Sequence, residues 1–272
     1  MKSEEPAYVS YKNVKINNTR YQNVSNTVKN VIKNKQRGYI CLTDVSNLMA
    51  ASKNEQLRTA INASLFSLAD GAPLAWYARM VGCKEVERIS GASLMQRLFT
   101  DMDGCKHYLL GDTEQTIGKV IAEAKRLNSK IEITGHSPPF KVFDDTDNIE
   151  MLEKIRKAKA DIVWVSFGGW KQEKWMNQNI ASLDKGVMIG VGAAFRFLVG
   201  DIITPPQIFQ SMGLQWVFRL IQHLARDPKD WLKTVREREI LKSKKEFLLY
   251  LPNEVITARR QLKMINRMNN PA

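Results

Sequence analysis

The order of apolar and polar positions predicts strands that alternate with helices over most of the chain. Short apolar runs of the kind that form buried strands occupy residues 39–43, 107–111, 131–134, 161–167 and 187–191. Between them, apolar residues recur at helical spacing in residues 55–68, 73–81, 93–102, 114–127, 147–158 and 171–183. This alternation predicts an α/β fold with a parallel sheet that helices cover on both faces.

The two ends of the chain depart from this alternation. Residues 8–16 show weak strand periodicity, and a polar helix is expected over residues 25–35. After Thr204, the consecutive Pro205 and Pro206 break the pattern, and a basic segment with scattered aromatic residues follows. We predict one domain over residues 1–204 and a basic helical appendage over residues 205–272. Such a helix could lie in a membrane interface or pack on the domain with a solvated charged face, and the pattern does not choose between them.

The net charge of +13 resides in these two ends. Residues 1–40 carry 8 Lys and Arg against 2 Asp and Glu, and residues 205–272 carry 13 against 6, whereas the middle balances at 20 against 20. Basic ends suit an anionic surface such as phospholipid headgroups, polyphosphate or nucleic acid. No apolar run is long enough to span a bilayer, and the N-terminus has no signal-peptide core. We therefore expect a cytoplasmic protein whose 3 cysteines are reduced thiols.

The stretch around Asp70 is the first candidate for chemistry. An apolar run ends in Asp70 and Gly71, and Pro73 stands where the first turn of a helix accepts proline. This places one carboxylate at the turn between a buried element and a helix, where it can take a proton from a substrate hydroxyl. Arg88 follows one helix later as a candidate partner for an anion. The alternative is that Asp70 merely caps the helix, and the stretch by itself favours that interpretation.

Polar residues and glycines also follow the other predicted strands, and ligands of parallel sheets bind at these ends. They include Asp44, Gly111, His136, the pair Gln172 and Glu173, and the pair Gly190 and Gly192. Glycines allow backbone N–H groups to approach a phosphate, although ordinary loops contain them too. The last pair lacks the third glycine and the downstream acid of a dinucleotide fingerprint, which argues against a nicotinamide-dependent dehydrogenase.

Seven stretches form a longer pattern: residues 69–76 (ADGAPLAW), 87–95 (ERISGASLM), 137–140 (SPPF), 161–165 (DIVWV), 171–176 (KQEKWM), 190–195 (GVGAAF) and 213–220 (GLQWVFRL). Taken together, and in this order, they resemble the WecG/TagA/CpsF family of glycosyltransferases. The resemblance runs from about Tyr39 to Trp231. It implies a Rossmann-like sheet of the GT-E type with a C-terminal appendage. It also implies a bacterial enzyme that moves a sugar from a nucleotide diphosphate to a polyprenyl-diphosphate-linked acceptor.

The resemblance implies roles for single residues as well. Asp70 matches the proposed catalytic base, and Arg88 matches an arginine near the diphosphate. The other expected substrate-binding residues lie at strand ends, beside the donor, in the nucleotide-side loop or on the appendage: Asp44, Gly111, His136, Gln172, Glu173, Gly190, Gly192, Phe195, Arg219 and Arg226.

The implied reaction is an inverting transfer from a UDP-sugar. Asp70 deprotonates the acceptor hydroxyl as it attacks the anomeric carbon, and cations with loop N–H groups stabilise the departing diphosphate. Two Asp-x-Asp sequences, at residues 101–103 and 145–147, are expected to be helix-end or loop acids, so we predict no metal and no cofactor. The expected partners are the UDP-sugar, the lipid-linked acceptor and the inner face of the cell membrane, with a homo-oligomer left open.

Two other functions stay open. A basic pI with interleaved aromatic residues is typical of nucleic-acid-binding proteins, although the charge is confined to the ends and no known motif of that class is present. A catalytically silent relative that scaffolds polysaccharide assembly is suggested by Asp44, where relatives have Asn, and by Arg196, where they have an acid. Because Asp70 is retained, we favour the enzyme and expect no nucleic-acid partner.

Overall fold

The structure is a computed structural model that describes residues 7–206, 208, 209, 217, 218 and 235–269. The strands are β1 (Tyr8–Tyr11), β2 (Val14–Asn17), β3 (Arg37–Thr43), β4 (Phe66–Ala69), β5 (Lys106–Gly111), β6 (Glu132–His136), β7 (Ile162–Ser166) and β8 (Gly186–Gly190). The helices are α1 (Tyr21–Lys33), α2 (Val45–Lys53), α3 (Glu55–Asn62), α4 (Ala72–Val81), α5 (Gly91–Asp101), α6 (Glu114–Leu127), α7 (Asp145–Lys157), α8 (Lys171–Asn179), α9 (Ala194–Leu198) and α10 (Val235–Asn269). A short 3₁₀ helix occupies Ile180–Ser182.

Six of these strands form one parallel sheet in the order β4-β3-β8-β7-β5-β6. Successive side chains of a strand enter different cores: in β7, Val163 and Val165 pack in one cluster, whereas Ile162 and Trp164 pack in the other. Helices α2, α3, α4, α7, α8 and α10 cover the first face, and α1, α5, α6 and α9 cover the second. Burial on both faces is why continuous apolar runs form parallel strands. The predicted α/β fold is therefore confirmed.

The main error of the sequence-based prediction concerns residues 55–68, which were expected to form one helix. Helix α3 ends at Asn62, and β4 begins at Phe66. The Nζ of Lys15 donates to the carbonyl oxygens of Asn62 and Ser64, at 2.9 and 2.8 Å, which satisfies the end of α3. Because β4 has only four residues, its apolar positions continued the helical spacing and could not be separated by periodicity.

Smaller differences lie near the N-terminus. Residues 8–16 form an antiparallel hairpin, β1 and β2, rather than a single strand. Its turn residues Lys12 and Asn13 have φ values of 47° and 64°, the left-handed conformation that a tight hairpin turn requires. Helix α1 begins at Tyr21, before the predicted start, and α2 was not predicted at all.

One face of the C-terminal helix α10 packs against the body of the protein. Phe247 is buried and its ring stacks on Tyr11, with the ring centroids 4.8 Å apart. The hydroxyl of Tyr11 donates to the carbonyl oxygen of Phe247 at 2.7 Å. Farther along the same helix, Ala258 is also buried. Phe247 and Ala258 therefore belong to the core on the first face of the sheet.

The contacts of α10 also show which end of the molecule it covers. Glu246 pairs with Lys53 at the end of α2, and Arg259 donates to the carbonyl oxygen of Met80 near the end of α4. A helix that follows a parallel strand runs back, so these helix ends lie away from the carboxyl ends of the strands. The proposed domain boundary at residues 204 and 205 stays a prediction. Among the helices that the structure describes, none has both the length and the apolar sequence needed to cross a membrane.

Candidate active site

The residues that directly follow strands β3 to β8 form one edge of the sheet, which we call the carboxyl edge. Asp70 lies there, half-buried, directly after β4. Its backbone N–H donates to the carbonyl oxygen of Thr43 at 2.9 Å, so the peptide of Asp70 extends the ladder between β4 and β3. The N-cap residue of α4 is Gly71, with φ of 116°, and it has no side chain with which to cap the helix. Asp70 therefore stands one residue before the N-cap position, and its role as the catalytic base stays a prediction.

Arg88 is held at the same corner of the sheet. The N–H of Ile89 donates to the carbonyl oxygen of Ala69 at 3.1 Å, and the N–H of Glu87 donates to that of Thr19 at 2.9 Å. Arg88 stands between these two anchored residues and is half-buried. The backbone therefore brings Arg88 beside the end of β4, which Asp70 immediately follows.

Asp44, which follows the neighbouring strand β3, has a structural task. Its Oδ1 accepts a hydrogen bond from the N–H of Asn47 at 2.7 Å and caps α2. A carboxylate in that position also complements the positive end of the helix dipole. Contact between Asp44 and a substrate stays a prediction.

Gln172 and Glu173, at the start of α8, are both buried, and Glu173 has no exposed surface. Glu173 Oε1 accepts from Gln172 Nε2 at 3.0 Å and from Asn47 Nδ2 at 3.4 Å. Its Oε2 has no hydrogen-bond partner among the described residues. Burial raises the pKa of the Glu173 carboxyl to about 7, against the lowering effect of the Gln172 hydrogen bond. Glu173 is therefore not available to touch a donor directly, contrary to its predicted role.

Two of the predicted glycines lie close to this pair. Gln172 Oε1 accepts from the N–H of Gly192 at 2.9 Å, and a Cβ on Gly190 would lie 3.1 Å from Gln172 Nε2. The third, Gly111, has φ of 115°, and a Cβ there would collide with the carbonyl oxygen of Ser166. Backbone conformation and close packing beneath the carboxyl edge thus require glycine at Gly111.

Two predicted site residues are not brought to the Asp70 corner. His136 ends β6, the strand farthest from β4, and five strand spacings of about 4.8 Å separate the two by roughly 24 Å. Burial and then the charge of Lys154, whose Nζ lies 3.1 Å from Nε2, lower the pKa of His136. The side chain of Phe195 is wholly buried in the core on the second face. Phe195 therefore anchors α9 in the core, and its side chain has no exposed surface with which to contact a nucleotide.

An ion pair that was not predicted from the sequence lies at the carboxyl edge. Arg196 donates from Nε to Asp112 Oδ2 at 2.9 Å and from Nη2 to Oδ1 at 3.1 Å, which joins the loop after β5 to α9. Burial would raise the pKa of Asp112, but the hydrogen bonds from Arg196 and Thr113 outweigh it and lower the pKa. Local sequence patterns cannot predict this pair, because its two residues are 84 positions apart.

Two further residues of the edge were also missed. Ser166 Oγ donates to the carbonyl oxygen of Gly192 at 2.7 Å, and Asn47 contacts Glu173. Ser166 could have been found from the sequence, because it is a serine that ends an apolar strand. Asn47 could not, because its helix α2 was not predicted.

The acids of the Asp-x-Asp sequences have structural partners. Asp101 Oδ2 accepts from the hydroxyl of Tyr21 at 2.7 Å, and Asp147 forms a capping box with Asp144. Within the described ranges, no group of three or more His, Cys, Asp or Glu residues is arranged to hold a metal ion. The predicted residues Arg219 and Arg226 lie outside the residues that the structure describes.

A comparison with known families identifies the family of this chain. The sequence model described as Glycosyl transferase WecG/TagA/CpsF family matches residues 9–236. The match extends from β1 into the start of α10, and it includes every predicted site residue. Since it covers well over half of the sequence, the chain belongs to the WecG/TagA/CpsF family of glycosyltransferases.

Proposed function

We propose that the protein transfers a sugar from a UDP-sugar to a polyprenyl-diphosphate-linked saccharide, with inversion, in the synthesis of a bacterial surface polysaccharide. Family membership supports the coarser statement, a glycosyltransferase with a sugar donor and an acceptor. One structural observation carries the finer one. The backbone hydrogen bonds of Asp70 to Thr43 and of Ile89 to Ala69 hold a carboxylate and a guanidinium at one corner of the carboxyl edge.

In this mechanism Asp70 is the general base. It accepts the proton of the acceptor hydroxyl while the oxygen attacks the anomeric carbon, and the bond from that carbon to the diphosphate breaks on the opposite side. An α-linked donor then yields a β-linked product. Base catalysis of this kind contributes about 10²–10⁴-fold to the rate.

The departing diphosphate carries the charge that develops in the transition state, and Arg88 is placed to stabilise it. The loop after β8, with Gly192, supports the nucleotide side of the donor. Because β8 lies two strand spacings from β4, this loop is about 10 Å from the Asp70 corner, a span suited to a sugar diphosphate.

Contact with the inner face of the cell membrane is proposed from the basic charge of the chain's two ends. Each basic residue near an anionic bilayer contributes on the order of 1 kcal/mol, so several must act together. Glu246 and Arg259 contact the ends of α2 and α4, away from Asp70, and these contacts do not by themselves bring an acceptor to the base.

The test is a transfer assay with UDP-glucose, UDP-N-acetylglucosamine and UDP-N-acetylmannosamine and a synthetic polyprenyl-diphosphate-linked acceptor. The change Asp70→Asn should lower kcat by about 10²–10⁴-fold and leave the affinity for UDP unchanged. Asp103→Asn is the matched control, since Asp103 is exposed and accepts a hydrogen bond from Asn128 Nδ2.

Turnover at the wild-type rate in Asp70→Asn would remove Asp70 as the base. Binding of UDP without turnover for every donor would instead favour the catalytically silent scaffold. For that alternative the supporting observation is that Asp44 and Arg196 are both engaged in structural contacts.

A further inference from the structure

Glu173 is an ionisable side chain that neither solvent nor a ligand can reach in this structure. It has no exposed surface, and its Oε2 has no hydrogen-bond partner among the described residues. Burying a polar oxygen without a partner costs free energy, and native proteins rarely do so without a reason. Since contact with the donor is closed to it, any part that Glu173 takes in the site must pass through its neighbours.

Those neighbours form a short chain of hydrogen bonds that ends at the loop after β8. Gln172 Nε2 donates to Glu173 Oε1 at 3.0 Å, and Gln172 Oε1 accepts from the N–H of Gly192 at 2.9 Å. A side-chain amide has one donor end and one acceptor end, so turning it over would set its NH₂ against the N–H of Gly192 and its oxygen against Glu173. The acceptor oxygen of Glu173 therefore fixes which way the Gln172 amide points.

The loop that Gln172 holds is fixed from its other sides as well. Ser166 Oγ donates to the carbonyl oxygen of Gly192 at 2.7 Å. The start of α5 packs closely on the same loop, because a Cβ on Gly91 would lie 3.1 Å from the carbonyl oxygen of Val191. The N–H of Gly192 is thus one of a small number of tethers that hold this loop.

We propose that Glu173 is a positioning residue of the donor site: it orients the amide of Gln172, which holds Gly192 and with it the loop between β8 and α9. The inference rests on the proposed function only in taking this loop as the nucleotide side of the donor site. Glu173 does not contact the donor. It keeps the loop in the conformation that receives the donor, so that binding does not have to order the loop first.

The experiment compares three variants of the full chain. Glu173→Gln keeps a carbonyl oxygen where Oε1 accepts from Gln172, and Glu173→Met removes the acceptor while filling a similar volume. Leu98→Ala removes buried packing on the second face of the sheet and serves as the control for lost stability alone. The measurements are the Kd for UDP by calorimetry and hydrogen exchange of the peptide containing Gly192.

We expect Glu173→Met to weaken UDP binding by about tenfold, the scale of one lost hydrogen bond, and to speed exchange at Gly192. Glu173→Gln should stay close to the wild type in both measurements, and Leu98→Ala should change neither. In the transfer assay, Glu173→Met should raise KM for the donor more than it lowers kcat.

Three outcomes would overturn the proposal. The first is that Glu173→Met keeps the wild-type UDP affinity and the wild-type exchange at Gly192. The second is that Glu173→Gln weakens UDP binding and speeds exchange as much as Glu173→Met does. The third is that Leu98→Ala changes both measurements as much as Glu173→Met does. If Glu173→Met does not fold, Glu173→Asp withdraws the acceptor by one methylene and should show the same changes in smaller degree.

A protein that binds UDP but transfers no sugar would refute the proposed function and leave this inference standing. A protein that does not bind UDP refutes the donor assignment, and Gly192 exchange still decides whether Glu173 positions the loop.

Discussion

The two edges of the sheet are built differently. At the edge opposite the strand ends, several polar groups are paired: Lys15 closes the end of α3, Asp161 accepts from Lys106 and Lys185, and the Tyr11 hydroxyl bonds to α10. The buried Nε2 of His107 there has no hydrogen-bond partner among the described residues. At the carboxyl edge, the wholly buried carboxyl of Glu173 also keeps one oxygen without such a partner, and burial raises the pKa of this carboxyl to about 7. The comparison indicates that the carboxyl edge buries an ionisable group at a cost in stability, as functional sites often do.

The largest effect on stability is expected at α10, whose described contacts lie away from the carboxyl edge. Phe247→Ala should lower the free energy of unfolding by about 3–5 kcal/mol, because it removes a buried ring that stacks on Tyr11. The kcat of the folded variant should equal that of the wild type. Urea denaturation and an assay at low temperature measure the two quantities.

The control for this change is Leu248→Ala on the same helix. Leu248 is 64% exposed, so its removal should alter the free energy of unfolding by less than about 0.5 kcal/mol. A large loss of kcat in the folded Phe247→Ala protein would break the comparison, since α10 would then act on the catalytic corner.

At the carboxyl edge, Arg88→Gln is the corresponding change. Removing a preorganised cation from the departing diphosphate should lower kcat by about 10²–10³-fold. Arg97→Gln is the control, because it removes the same charge from an exposed side chain that pairs with Glu87 at 3.1 Å. Equal kcat values in the two variants would show that Arg88 does not serve the transition state.

The pH dependence of the free energy of unfolding measures what the burial of Glu173 costs in stability. The ordinary pKa of a glutamate is 4.5, whereas burial, with a further contribution from Asp44, raises the pKa of Glu173 to about 7. The folded state therefore keeps this proton after the unfolded state has lost it, and the wild type loses stability as the pH rises from 4.5 to 7. The buried thiol of Cys41 also faces this carboxyl, and burial with the charge of Glu173 raises the pKa of Cys41.

Glu173→Gln removes this titration. Its free energy of unfolding relative to the wild type should gain up to about 3 kcal/mol at pH 8, and the gain should shrink as the pH falls towards 4.5. Urea denaturation at pH 5, 6, 7 and 8 gives the curve. A difference that does not vary with pH would mean that the Glu173 carboxyl is not protonated in the folded protein at low pH.

The fold and the position of the candidate site at the strand ends could be predicted because both follow from local patterns. Strands buried on both faces read as apolar runs, and their ends mark the carboxyl edge without further information. Asp70 was found in the same way, from a turn composition that ends one element and begins another. The strand β4 was missed because four residues are too few to establish a period of two.

What the sequence could not predict depends on contacts between distant residues. Phe195 follows a glycine-containing loop, and only the packing of α9 shows that its ring enters the core. Glu173 reads as a polar position at the start of a helix, and its burial arises from tertiary packing that involves Gln172 and Asn47. Burial and side-chain direction are properties of the assembled layers, so single-residue patterns cannot supply them.

The smallest expected effect concerns the ion pair between Asp112 and Arg196, which joins the loop after β5 to α9 at the carboxyl edge. Arg196 is 48% exposed at its side chain, so solvent screens the pair, and Arg196→Ala should cost no more than about 1 kcal/mol. Because the folded-state pKa of Asp112 is lowered from 3.8, this contribution is present at neutral pH and is lost as the pH falls below that value. A double-mutant cycle with Asp112→Asn at pH 7 and at pH 3 isolates it. A coupling of several kcal/mol would blur the contrast between the edges, since the carboxyl edge would then hold the fold together as well. A coupling near zero would sharpen the contrast, because this ion pair would then contribute nothing to stability.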